Sequence, residues 1–99
     1  MTKNELKSKV LEANAKLDLC LSYLESQDLD MFIKIMKESK EALETCSKEV
    51  FSCKDEIETL EILASVIMSA RLRANKYLNL SYRIFGFVHL YQLNAALGD

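Results

Sequence analysis

Three cysteines, Cys20, Cys46 and Cys53, and a single histidine, His89, are the residues of this chain best suited to hold a soft metal. Three thiolates and one imidazole would complete a tetrahedral zinc site, provided that all four converge. The spacing gives no support, because Cys46 and Cys53 are seven apart and no tight Cys-x2-Cys pair occurs. All three fall on or near the apolar faces of predicted helices, where a thiol serves as a small core hydrophobe. No metal and no cofactor are expected. Two pairs of carboxylates, Glu38 with Glu41 and Glu58 with Glu61, have the residue type for general acid–base work, which needs a buried or partnered carboxyl. Both pairs lie on charged helix faces, so ordinary solvation is the expectation and catalysis is not.

The sharper constellation is at the C-terminal end. Arg83, His89 and Tyr91 form an R-x5-H-x-Y spacing, which resembles the signature of HEPN-type helical ribonucleases. That resemblance implies a guanidinium stabilising phosphorane charge and an imidazole moving a proton, with the pair completed across a dimer. The competing reading makes His89 a half-exposed helix residue. The same region holds five of the eight aromatics, Tyr77, Tyr82, Phe85, Phe87 and Tyr91, within fifteen residues and close to Arg71, Arg73, Lys76 and Arg83. Aromatics beside arginine are typical of interface hot spots. Arg71, Tyr77, Tyr82, Phe85, Phe87, Val88 and Tyr91 are therefore the candidate partner-binding residues. The alternative is that the aromatics cap the end of a bundle as core.

Helices must position all of these groups. The chain has no proline and only two glycines in 99 residues, so little punctuates helices or builds hairpin turns. An all-α, single-domain bundle is predicted. The first helix runs from about Lys3 to Glu25, with Leu6, Val10, Ala13, Leu17, Cys20 and Leu24 at alternating spacings of four and three. Thr2 and Glu5 suit a capping box, and Glu12 with Lys16 an (i, i+4) ion pair. Ser26-Gln27-Asp28 forms a connection with Asp28 as N-cap. A second helix carries Leu29, Phe32, Met36, Ser39, Leu43, Cys46 and Val50 on its seam, and the short linker makes the two an antiparallel hairpin.

A turn is placed at residues 52–55, with Ser52 as a helix cap; the alternative is a continuous helix that needs a partner chain. The third helix, Glu56 to Phe85, is apolar in nearly every direction around Leu60 to Met68, so that stretch is expected to be enclosed from several sides. Its expected seam is Ile57, Leu60, Ala64, Ile67, Arg71, Ala74 and Leu78, with a second line of Leu63, Ala70, Tyr77 and Ile84. At ~45 Å it is longer than the other two, so its second half is expected to outrun the hairpin. Gly86 stops it, and residues 87–97 are read as a short fourth helix.

Charge is unevenly spread. Residues 1–61 hold 14 acidic against 9 basic side chains, whereas residues 62–99 hold four basic side chains against Asp99 alone. A pI near 5.4 disfavours a nucleic-acid partner. No run reaches the ~18 apolar residues of a membrane span. The odd cysteine count and the polar N-terminus point to a reducing cytoplasm.

Leu24-Glu25-Ser26-Gln27-Asp28-Leu29-Asp30-Met31-Phe32, Lys37 to Leu43, and Ile62 to Asn79 with its Ser69-Ala70-Arg71-Leu72-Arg73-Ala74-Asn75 centre resemble the small flagellar export chaperones of the FliT/FlgN type. The resemblance implies a cytoplasmic bacterial protein that binds an amphipathic segment of an export substrate, or an export-apparatus component, and prevents premature assembly. In such proteins a C-terminal helix, here Phe85 to Leu97, regulates or forms the groove. A homodimer is allowed for, and the third alternative is a plain helical dimerisation or adaptor module.

Overall fold

The computed structural model describes residues 2–54, 56–86, 95 and 97. Three helices follow one another, α1 (Lys3–Glu25), α2 (Leu29–Ser52) and α3 (Ile57–Phe85). The described residues form no strand. The all-α bundle read from the sequence is what the chain adopts. Residues 87–97, expected to form a fourth helix, lie outside the described residues apart from the helical Ala95 and Leu97.

Local chemistry sets the helix ends. The Glu5 N–H donates to Thr2 Oγ1 at 3.2 Å, so Thr2 caps α1. At the other end Gln27 takes a left-handed conformation, φ 57°. Its N–H donates to the Leu24 carbonyl at 3.1 Å, and the Asp28 N–H to the Tyr23 carbonyl at 2.9 Å. These two bonds make a Schellman closure with glutamine at the position that usually holds glycine. Asp28 then caps α2 by accepting from the Met31 N–H at 3.2 Å. The hairpin turn is thus closed by one helix's C-cap running directly into the next helix's N-cap.

A side chain at Gln27 opposes this geometry, because a Cβ in the left-handed region meets the following carbonyl at a cost of about 1–2 kcal/mol. Replacing Gln27 with glycine is expected to raise stability by about 0.5–1 kcal/mol after the added freedom of the unfolded chain is subtracted. Paired thermal melts check this, with the variant melting a few degrees higher.

The break between α2 and α3 falls where expected, but its chemistry differs. Ser52 is the last residue of α2 and not a cap for α3; its hydroxyl donates back to the Glu49 carbonyl. Cys53 and Glu56 are both extended, which interrupts the helix, and no side-chain hydrogen bond among the described residues caps α3. A continuous helix from Leu29 past Leu80 is excluded. At the far end Gly86, at φ 78° and ψ 172°, occupies backbone space essentially reserved for glycine, so α3 stops there.

Alternating spacings of four and three place one apolar line of α1 against one of α2. All six predicted α1 positions are buried, as are Phe32, Met36, Ser39, Leu43, Cys46 and Val50 on α2. Ser39 is tolerated there because its hydroxyl donates to its own helix, to the Ile35 carbonyl at 2.8 Å. Ser81 on α3 does the same toward Leu78. Small buried side chains let the helices approach closely without leaving a polar group unpaired.

The packing of α3 departs from expectation in two respects. Its buried line is Leu63, Ile67, Ala70, Ala74, Tyr77, Leu78 and Ser81, so Ile57 and Arg71 are solvent-facing and Leu60 and Ala64 only flank the core. The middle of α3 is not enclosed: Ile62, Met68 and Leu72 are 65, 57 and 66% exposed. Among the described residues the two other helices, α1 and α2, cover one side of it.

Nor does the second half outrun the hairpin. Leu63 and Ile67 pack with Leu6, Val10, Cys46 and Val50 at the open end. Ala70, Ala74, Tyr77 and Leu78 pack with Leu17, Leu24, Phe32 and Met36 toward the hairpin turn. α3 therefore tracks α1 in parallel from end to end, and the 46 Å long axis of the molecule is about the length of α3 itself.

Candidate partner-binding site

The aromatic residues of the C-terminal third divide between core and surface. Tyr77 is buried among the larger core cluster, and Tyr82 and Phe85 pack against it from the edge. The Phe85 ring lies 6.3 Å from that of Phe32 at 40°, a favourable tilted pair that closes the hairpin-turn end. Arg83 is exposed in the last turn of α3. Phe87, Val88, His89 and Tyr91 lie outside the described residues. The structure thus places three of the proposed contact aromatics on the core and does not gather them with Arg71 into one exposed patch.

Arg71 takes part in something else. It projects toward α2, where its Nη1 reaches Ser47 Oγ at 3.5 Å. Beside it a groove of about 400 Å³ runs between α2 and α3. Leu43 and Ala74 supply its apolar floor, Lys37, Lys40, Glu41 and Glu44 its α2 rim, and Arg71 with Asn75 its α3 rim. Leu97, eleven residues past Gly86, lines the same groove and packs against the larger core cluster. In the sequence the α2 rim reads as a solvated face and Ala74 as part of the α3 seam, so neither marks a groove.

A second polar constellation is interhelical. Arg73 donates through Nε to the Tyr77 hydroxyl at 3.0 Å and through Nη1 to Asn14 Oδ1 at 3.2 Å, and pairs through Nη2 with Asp18. Asn14 is itself oriented by donating to the Val10 carbonyl. The guanidinium carbon is 5.5 Å from the Tyr77 ring centroid, within cation–π range. The Tyr77 hydrogen bond, opposed by partial burial and aided by Asp18, raises the pKa of Arg73 and keeps it charged. Of the three partners of this one side chain, Asn14 and Asp18 are on α1 and fix the register of α3 against it.

An asymmetry follows. Arg73→Ala is expected to lower stability by about 1–2 kcal/mol, since it strips the buried Tyr77 and the half-buried Asn14 of a charged donor. Asp18→Ala, at a largely exposed carboxylate, is expected to cost about 0.2–1 kcal/mol. Urea denaturation of both variants measures the difference; equal losses would show that the ion pair, and not the internal hydrogen bonds, holds the helices.

The thiols stand apart from any site. Cys20 belongs to one core cluster, Cys46 and Cys53 to the other, and all three are buried free thiols. Burial pushes Cys20 up to about 11 and raises Cys46 as well, which suppresses the thiolate that metal binding or nucleophilic attack requires. Among the described residues no three His, Cys, Asp or Glu side chains come close enough to share a metal ion. Glu41, Glu58 and Glu61 are exposed and Glu38 is half-exposed. No helix among the described residues is long and apolar enough to cross a membrane. Compared with protein-family models, with curated proteins and with solved structures, the chain finds no match.

Proposed function

We propose that this chain is a cytoplasmic, non-catalytic binding protein that holds an amphipathic helix of a protein partner in the groove between α2 and α3, in the manner of a flagellar export chaperone. The observation that carries the reading is the groove itself, which Leu97 lines together with Leu43 and Ala74. It combines a small apolar floor with a rim of both charge signs. A partner helix presenting apolar residues at i, i+3, i+4 and i+7 would fit the same recess and pair its charges along the rim. Leu97 then belongs to the wall that a partner helix contacts. Burying ~400 Å² of apolar surface gives ~10 kcal/mol gross at ~25 cal/mol/Å², most of it offset by ordering, so micromolar affinity is expected. Three buried thiols suit a reducing compartment.

A photo-crosslinking residue at Asn75, in the full chain expressed in a flagellated bacterium, tests this. It should capture a helix of an export substrate or of the export apparatus, and less of it when Leu97 is replaced by alanine, which removes part of the apolar wall. Capture of no export component overturns the chaperone reading. RNA cleavage by the purified chain that His89→Ala abolishes would replace it with a ribonuclease.

A further inference from the structure

The exposed side of α3 carries a pattern that is its own complement. Glu58, Ile62, Ser65, Ser69, Leu72 and Lys76 follow at alternating spacings of four and three, so they form one straight seam along the helix. All six are exposed, and the seam lies opposite the buried Leu63, Ile67, Ala70 and Ala74. Positions equidistant from Ile67 match chemically: Ser65 with Ser69, Ile62 with Leu72, Glu58 with Lys76. At the edges Val66, 39% exposed, matches Met68, 57% exposed. Four large apolar side chains on one exposed helix segment are more than solvation of a small domain explains.

We propose that this face pairs antiparallel with the same face of a second copy of the chain, about a two-fold axis at the level of Ile67. An isologous contact requires a surface complementary to itself, and this one is so in each component. In the antiparallel arrangement Ile62 meets Leu72 of the other copy, the two serines meet at the centre and allow close approach, and Glu58 meets Lys76. The parallel arrangement would set Glu58 against Glu58 and Lys76 against Lys76. The seam is about 27 Å long, and Leu97 lies on the other flank of α3 toward α2, so the contact is separate from the groove assigned to a partner. One helix pair is a small interface, which sets the expected dissociation constant in the micromolar range.

Sedimentation velocity on the full chain from about 1 µM to about 1 mM tests the pairing. A reversible monomer–dimer equilibrium is expected. Glu58→Lys and Lys76→Glu should each weaken it about tenfold, since the two-fold axis doubles every like-charge contact. The double variant should return to within about threefold of the original. Leu72→Glu should leave only monomer with unchanged far-UV helicity, as expected for an exposed position. A chain monomeric throughout, a dimer indifferent to the single reversals, or a double variant no better than the singles each overturns the proposal. Glu58→Lys acts at the far end of the seam from Asn75, so capture of an export component at Asn75 in that variant tells the failure of one reading from the failure of the other.

Discussion

Phe32→Ala is expected to destabilise the chain by about 3–5 kcal/mol, a large part of the ~5–15 kcal/mol that holds a small domain folded. Phe32 is fully buried in the first turns of α2, where α1 ends and α3 arrives. Its ring touches Phe85 and fills the space that Leu24, Met36 and Leu78 leave at the hairpin-turn end. Truncation leaves a cavity that three helices, tied by a short turn and by Arg73, cannot close. Phe32→Leu should recover most of the loss, because volume and apolar character are nearly kept. Phe85→Ala should lose less than Phe32→Ala, since that side chain is only half-buried. Thermal melts would register Phe32→Ala as a fall of roughly 15–30 °C. A loss below about 1 kcal/mol would show that this end of the bundle is not packed as described.

The second large effect is alkaline. Burial lifts Cys20 from 9.0 to about 11, the nearby Ser39 hydroxyl and Arg73 opposing it only in part. Above pH 9 the thiol ionises in the unfolded chain while it stays protonated in the folded one, so the unfolded state binds fewer protons. Stability from this source is fully present below pH 9 and is lost as pH rises through 11, about 2–3 kcal/mol in all. The raised pKa of Cys46 acts in the same direction. Urea titrations between pH 8 and 11 should show a decline that is clearly shallower in Cys20→Ala, although that variant starts lower for lack of the side chain. An equal slope in the two would mean that Cys20 meets water in the folded protein. Thiol labelling gives an independent check: at pH 8 Cys20 should react only as fast as the chain opens, because its thiolate is about a hundredfold rarer than that of an ordinary cysteine.

Both results depend on features of unequal legibility. The Phe32 seam could be read directly, because α1 and α2 are each apolar along one line and charged elsewhere. On such helices a strict spacing of four and three permits only one buried face. Thr2 and Asp28 were equally legible, since a cap acts on backbone groups three residues away. Ser39 could be placed in the core by its position on the seam, although what satisfies its hydroxyl required coordinates. The groove was not legible. Its rims come from α2 and α3, its floor from both helices and part of its lining from Leu97, residues far apart in the chain and brought together only by packing.

What the sequence determined by itself, then, was local: helix type, helix extents, the hairpin, and the buried lines of α1 and α2. Each depends on interactions within one or two turns. The orientation of α3 was decided by the tertiary structure. That helix offers apolar residues in almost every direction, so its periodicity favours no single face. The choice falls to groups on another helix: Arg73 reaches Asn14 and Asp18 of α1 in only one rotation, and in that rotation Ala70, Ala74 and Ser81 are the small residues that let the hairpin approach. The rest of the apolar surface, Ile62, Met68 and Leu72, is left facing outward for the same reason: two neighbouring helices can cover only one side of a third.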